Sequence, residues 1–308
     1  MKIRKDFIRG NKKIRIISNG GKPTPIPEEW RPVLSRCEMM VIIPDMHMYI
    51  YNSNLDNFKY GAEVMLSFLD HLDTLKEEMS FEDQTLRIYQ LGDLYEQRFP
   101  GLHSANATAI EIRMSHPNYD QIVNTMNNMR THFLYGNHDF ELRHFPGFRF
   151  AALEGKVYIE HGFSADSWKD FANPNASLWE PGQFLFLKIR EINQFFANLL
   201  IEANFIEKDE HFAFGVPSGE KPNYKYPSEE DYLKDYGNTL NYYTERLQKN
   251  RENKKTKICV IGHTHHPYLS TDINDGKHIY IDAGAWTAGR SDFVVITNEE
   301  VGICCYKR

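Results

Sequence analysis

The sequence predicts an α/β domain that carries a helical insertion. Three observations lead there: short apolar runs alternate with longer amphipathic ones, five of those runs are followed directly by Asp, Asn, His or Gly, and the rhythm breaks between His161 and Lys257. With 41% hydrophobic and 25% charged residues, a chain of 308 residues can bury a sizeable core and is not a disordered one. Lys and Arg number 36 against 42 Asp and Glu, a net charge of −6, which argues against a generic basic coat for nucleic acid.

Residues 1–32 read as a basic N-terminal arm and a linker. Lys2 to Arg15 holds seven Lys or Arg and one Asp, either a solvated tail or a docking arm for nucleic acid or another anionic surface. Residues 18–32 (SNGGKPTPIPEEWRP) are rich in Gly and Pro, which stops regular structure. The main domain is expected at 33–308. In it Met39–Pro44, Leu86–Leu91, His132–Tyr135, Val157–Glu160, Lys257–Ile261, His278–Ile281, Phe293–Ile296 and Val301–Cys305 read as strands. Lys59–Met79 reads as a helix because Val64, Phe68, Leu72 and Leu75 recur at helical spacing, and Asn106–Met129 as another, interrupted at Pro117.

The insertion is expected at about 166–256. An aromatic stretch (Trp168, Phe171, Trp179) leads into an apolar helix at 184–206, a Pro- and Tyr-rich loop around 216–230, and a charged helix from Asp231 to Asn253. Phe184, Leu187, Phe195, Leu199 and Phe205 suit a packed cap helix; a dimer seam or a lipid-facing lid are the alternatives. Lys188, Arg190, Glu191 and Glu202 exclude a transmembrane segment there, while peripheral membrane contact stays open. One sequence does not define the oligomeric state. Four cysteines in irregular positions do not make a disulfide framework, and the charged N-terminus has no apolar secretory core, so a cytoplasmic protein is expected.

The chemistry gathers where the strands end. Asp45-Met46-His47, Gly92-Asp93, Gly136-Asn137-His138-Asp139, His161-Gly162 and Gly262-His263-Thr264-His265 follow five successive predicted strands, at the sheet edge where open α/β folds place their sites. A set of carboxylate, amide and imidazole donors suits Mn, Fe, Zn or Ni and not a thiolate site. No nucleophile elbow, Walker lysine motif, dinucleotide glycine triplet or H-E-x-x-H sequence competes with it.

This order of blocks, D-x-H, G-D, G-N-H-D, H-G and G-H-T-H, resembles the calcineurin-like metallophosphoesterase superfamily over roughly residues 38–165 and 257–305. The resemblance implies a metallophosphoesterase-type β-sheet sandwich flanked by helices, and two divalent metal ions, Mn first with Fe, Zn and Ni as alternatives. It puts Asp45, His47 and His265 on one ion, Asn137, His161 and His263 on the other, and Asp93 between them. It also implies that His138 assists departure of the leaving group and that Asp139 orients it, while Met46 points away from the metals. Two such ions would leave a small positive charge for a phosphate oxygen and supply a bridging hydroxide as nucleophile. A histidine titrating near neutrality suits the leaving-group role.

The implied activity is hydrolysis of a phosphodiester or phosphomonoester in a small molecule. The blocks are also similar to the UDP-2,3-diacylglucosamine pyrophosphatases, in which the third block usually has Arg where this chain has His138. A nuclease is a further alternative, served by the basic arm but opposed by the net charge, and so is a non-catalytic binding scaffold of the same fold. Arg143 and Arg149 suit either a substrate phosphate or solvent, and Tyr95, Gln97 and Arg98 the pocket rim. His71, His103, His116, His132, His211 and His278 read as surface or packing residues; His144 goes either way, and His266 reads as a neighbour of the ligands rather than one of them.

Overall fold

Strands whose residues are apolar on both faces need covering twice, and the chain meets that need with four layers. A computed structural model describes residues 12–51, 56, 58–81, 84–97, 105–165, 228–249, 255–273, 275–287 and 289–307. The basic residues 2–11, the aromatic residues 168–179, the apolar segment 184–206 and most of the 216–230 loop lie outside the described residues.

In chain order the elements are β1 (Ile14–Ile16), β2 (Thr24–Pro25), β3 (Met39–Ile43), α1 (Ala62–Phe81), β4 (Leu86–Gln90), α2 (Ala105–Met114), α3 (Pro117–Asn128), β5 (His132–Leu134), β6 (Phe148–Arg149), β7 (Ala151–Glu154) and β8 (Val157–Glu160). They continue as α4 (Glu229–Lys249), β9 (Ile258–Ile261), β10 (Tyr268–Ile273), β11 (His278–Asp282), β12 (Asp292–Thr297) and β13 (Glu300–Tyr306). One sheet has the order β1-β13-β12-β3-β4-β5-β6, with β2 also paired to β13; the other has the order β10-β11-β9-β8-β7.

Alternation along each strand sorts side chains between layers. Met40 and Ile42 of β3 meet Ile258 and Val260 of β9 and Ile279 and Ile281 of β11 in the core between the sheets. Met39, Val41 and Ile43 point the other way, into a core shared with α1, α2 and α3. Cys259 and Ile261 face outward from the second sheet and lie under Tyr232, Tyr243 and Leu247 of α4. The fold is therefore mixed α/β, two sheets flanked by helices.

The helices follow from their sequences. In α1, Met65, Phe68, Leu69, Leu72, Leu75 and Met79 form a buried stripe at helical spacing. The helical segment expected at 106–129 breaks as its proline requires: Pro117 opens α3, and His116 Nδ1 accepts the Asn118 N–H at 3.2 Å. Before α4, Ser228 and Asp231 cap one another reciprocally, Asp231 N to Ser228 Oγ at 3.1 Å and Ser228 N to Asp231 Oδ2 at 3.1 Å.

Two strands precede the first expected one. Ile14 and Ile16 of β1 pair with Tyr306 and Cys304 of β13, and Thr24 of β2 with Val301. The surrounding charges conceal a three-residue alternation that is buried only because β13 returns beside it. The short, half-exposed β6, β7 and β10 were likewise not marked in the sequence, since they lack the continuous apolar run of a central strand. All four cysteines are buried free thiols. Among the described residues no helix is long and apolar enough to cross a membrane.

Candidate metal centre

Parallel neighbours bring their carboxyl ends to the same edge. β3, β4 and β5 are parallel in one sheet, β8 and β9 in the other. Asp45 and His47 follow β3, Asp93 follows β4, Asn137 and His138 follow β5, His161 follows β8, and His263 and His265 follow β9. All lie in the same junction of the two sheets.

The backbone is bent to present them. His47, Asp93, His263 and His265 have φ of +47°, +48°, +74° and +61°. This left-handed region costs a residue with a Cβ about 1–2 kcal/mol, and such strain collects at functional sites. Hydrogen bonds hold it in place: Met46 N and His47 N donate to Asp93 O at 3.0 and 2.8 Å, and His263 N donates to Asp45 Oδ2 at 3.0 Å. At Gly136 a Cβ would lie 2.0 Å from Asp93 Oδ1 and 2.7 Å from His161 Nε2, so the third block needs its glycine.

Three groups of donors result among the described residues, and two of them carry the expected ligands. Asp45, His47 and His265 bring donor atoms within 4.8 Å of one another, and so do Asp93, His161 and His263. Asp93 Oδ2 connects them, 3.1 Å from His161 Nε2, 3.5 Å from His47 Nε2 and 3.9 Å from His138 Nε2. Asp45 Oδ2 is 3.1 Å from His265 Nε2 and 3.4 Å from His161 Nε2.

These residues fit divalent cations. Asp45 Oδ1, Asp93 Oδ2, Asn137 Oδ1 and both ring nitrogens of His161 are buried without a hydrogen-bond partner. Leaving such a group unsatisfied costs about 1–3 kcal/mol. His47 Nε2 and His265 Nε2 face each other at 3.0 Å, where two lone pairs repel unless a proton or a cation separates them. Burial disfavours the charge on Asp45 and Asp93, yet nearby imidazoles, His161 foremost, hold both carboxyls below the usual range. Burial likewise disfavours a charged His161, but Asp93 and Asp45 hold its pKa well above the ordinary histidine value. The cavity thus draws positive charge to itself, and oxygen and imidazole donors suit first-row divalent ions.

His138 lies outside those two clusters and belongs to the third group, with His47 and Glu96, whose donor atoms also lie within 4.8 Å of one another. Its Nδ1 is 2.5 Å from Glu96 Oε2, and the same oxygen is 3.1 Å from His47 Nδ1. Burial would raise the Glu96 pKa, but His138 and His47 outweigh it and bring it down to about 2. One ionised carboxylate therefore accepts from two imidazoles and turns both Nε2 atoms toward Asp93. The carboxylate at His138 Nδ1 is that of Glu96. Asp139 instead accepts the backbone N–H groups of Asp93, Leu94, Tyr95 and Gly136 at 2.7–3.4 Å, tying the second and third blocks together.

The remaining candidates sort clearly. Met46 packs in the helix-side core, away from the carboxylates. The Arg143 guanidinium lies 3.9 Å over the Phe140 ring and its Nε donates to His144 Nε2 at 2.9 Å; Arg149 is exposed on β6. Tyr95 and Gln97 are buried, and Gln97 N donates to His138 O at 3.2 Å. His266 packs against Tyr236. His71 bonds Tyr306, His132 stacks on Tyr89 and His278 is buried. Arg98, His103 and His211 lie outside the described residues.

Sequence reasoning missed Glu96 and Arg290. Glu96 stands three residues after Asp93, an offset that could have marked it, but a glutamate after a strand reads as solvated. Arg290 is buried, donates to His265 O and reaches Thr287 Oγ1 at 3.0 Å, so it fixes the last ligand's backbone.

Comparison with protein-family models finds no match. Comparison with curated proteins finds none either. Among solved structures, the chain is similar to a dimetal phosphatase from Danio rerio, at 11% identity and a TM-score of 0.41, over 89% of this chain and 100% of that one.

Proposed function

We propose that this chain is a two-metal phosphoesterase. The observation that carries the reading is the convergence of two clusters, Asp45/His47/His265 and Asp93/His161/His263, all buried but the partly exposed His263, at one junction of the sheets beside a histidine in contact with its own carboxylate. Asp45, His47 and His265 would hold one cation, Asn137, His161 and His263 the other, with Asp93 shared. Two bound divalent cations, Mn being the first candidate, would supply Lewis-acid charge to a phosphoryl oxygen and an activated water.

The chain's own residues do the rest. With two divalent cations bound, neutral His and Asn donors would not cancel the cations' charge, and Asp45 and Asp93 would offset only part of it, which would favour a phosphate ester. The Glu96 carboxylate accepts a hydrogen bond from His138 Nδ1–H, which leaves Nε2 facing the site, where it would carry a proton to the departing alkoxide. Asp139 keeps the 93–95 and 136–138 turns in register, so that His138 and Asp93 keep their spacing. The geometry requires no covalent intermediate on the protein.

The test is elemental analysis of purified protein, then chelation and add-back of Mn, Fe, Zn and Ni with a chromogenic phosphomonoester and a phosphodiester. About two cation equivalents, turnover lost on chelation and restored by one ion, and turnover lost in Asp93→Asn and His265→Ala are expected. Two equivalents without turnover on any phosphoester would make the protein a binding scaffold. Wild-type turnover in those variants would remove the assignment.

A further inference from the structure

The second sheet carries an arrangement that the hydrolytic reading leaves unused. α4 lies on its outer face, and three polar side chains of α4 pass through an otherwise apolar layer to buried carboxylates. Tyr232 and Tyr243 are 11 residues apart, about three helical turns, so both point at the sheet, and Arg246 follows Tyr243 by one turn.

Each of them ends beside a turn that carries proposed ligands. The Tyr232 hydroxyl is 3.0 Å from Asp282 Oδ2 and 3.0 Å from the Tyr280 hydroxyl. The same Asp282 oxygen accepts Thr264 Oγ1 at 2.6 Å, and Thr264 is the residue between His263 and His265. Thr264 Oγ1 also accepts the His266 N–H at 3.1 Å. The Tyr243 hydroxyl bonds Glu160 and lies 3.1 Å from Gly162 O, the two residues on either side of His161. Arg246 Nη1 is 2.9 Å from Glu160 Oε2, which balances that buried carboxylate. Glu160 and Gly162 flank His161 in the chain, Thr264 stands between His263 and His265, and Asp282 reaches that turn through Thr264 Oγ1.

We propose that α4 is a positioning element of the metal centre, in which the hydroxyls of Tyr232 and Tyr243 hold the His263–His265 and His161 turns in their cation-binding geometry. The inference rests on the two-metal reading and adds to it that a helix of the expected insertion, contributing no ligand, sets cation affinity. His263 and His265 occupy left-handed backbone, so their turn needs outside contacts to keep its shape, while Gly162, with φ of +124°, gives the His161 turn a freedom that a contact can restrict. Neighbours that orient ligands typically change cation affinity 10- to 100-fold when removed.

The experiment compares wild type, Tyr232→Phe, Tyr243→Phe, the double variant and Leu247→Ala, each stripped with chelator and titrated with Mn by calorimetry. Phenylalanine keeps the buried ring and removes only the hydroxyl. Leu247→Ala removes an apolar side chain of α4 that can hydrogen-bond to neither turn and is the control for a purely structural role. Expected are a circular-dichroism spectrum and a cooperative melt retained in the Phe variants, a roughly tenfold or greater loss of Mn affinity in the double variant, a smaller loss in each single one, and wild-type affinity in Leu247→Ala. Wild-type affinity in the double variant, or an equal loss in Leu247→Ala, overturns the clamp and leaves the two-metal reading standing. A wild type that takes up no Mn, Fe, Zn or Ni overturns that reading and the clamp with it.

Discussion

Glu96 is where one side chain does most for the site. Its oxygen serves both a proposed ligand and the proposed acid, and an amide there can accept from one imidazole while turning a donor toward the other. Glu96→Gln is expected to lower kcat by about 10²-fold with little change in KM, and to move the alkaline limb of kcat to lower pH, because a protonated His138 loses its counter-charge. Steady-state kinetics across pH 5–10 check this. Asp56 makes a separate prediction. Burial pushes its carboxyl up to about 7, against the Tyr119 hydroxyl at 2.5 Å. The folded state therefore holds a proton that the unfolded chain releases near pH 4, and stability falls as pH rises from about 4 to about 7, then changes no further on this account. At about 1.4 kcal/mol per pH unit the loss is a few kcal/mol. Urea denaturation at pH 4.5 and pH 7.5 is expected to show that difference in wild type and a much smaller one in Asp56→Asn.

At the scale of elements, α1 joins the helical layer to the site. Phe68 packs on Phe293 at 4.6 Å and on Trp286 and Tyr306 at 5.3 Å, and Trp286 N donates to Asp45 O at 2.8 Å. Phe68→Ala is expected to cost about 3–5 kcal/mol in denaturant unfolding and to weaken cation binding through the Trp286 loop. The elements the sequence made legible are those with a strong local signal: the apolar central strands, the stripe of α1, the break at Pro117. The site was legible for a related reason, since Asp, Asn or His follows each of the five strands, with a glycine beside it after β4, β5, β8 and β9. Local signal fails for β1, whose two isoleucines acquire meaning only beside β13, and for Glu96, Glu160 and Asp282, whose partners lie 42 to 86 residues away in sequence or on another element. Tyr232 and Tyr243 sit in a segment so rich in charge that it reads as a solvated face.

For the whole molecule, the clusters join the two sheets: one draws on β3 and β9, the other on β4, β8 and β9. A cation bound there binds only the folded chain, so it is expected to raise the melting temperature in proportion to the logarithm of its concentration, by the equivalent of about 2.7 kcal/mol at a hundred times Kd. Differential scanning calorimetry with and without chelator measures the shift, and Asp93→Asn is expected to abolish most of it.

The order of the first sheet bears on how the chain is made. β3 is synthesised early, but its neighbour on one side is β12, and β1 waits for β13 beyond it. Until β12 emerges, β3 can pair with β4 on one edge only and its other edge stays open, and the half-site that Asp45 and His47 provide lacks its partner from β9. Nascent chains stalled before β12 are therefore expected to lean on a holdase and to aggregate without one, and the first sheet to close only once β12 and β13 have emerged.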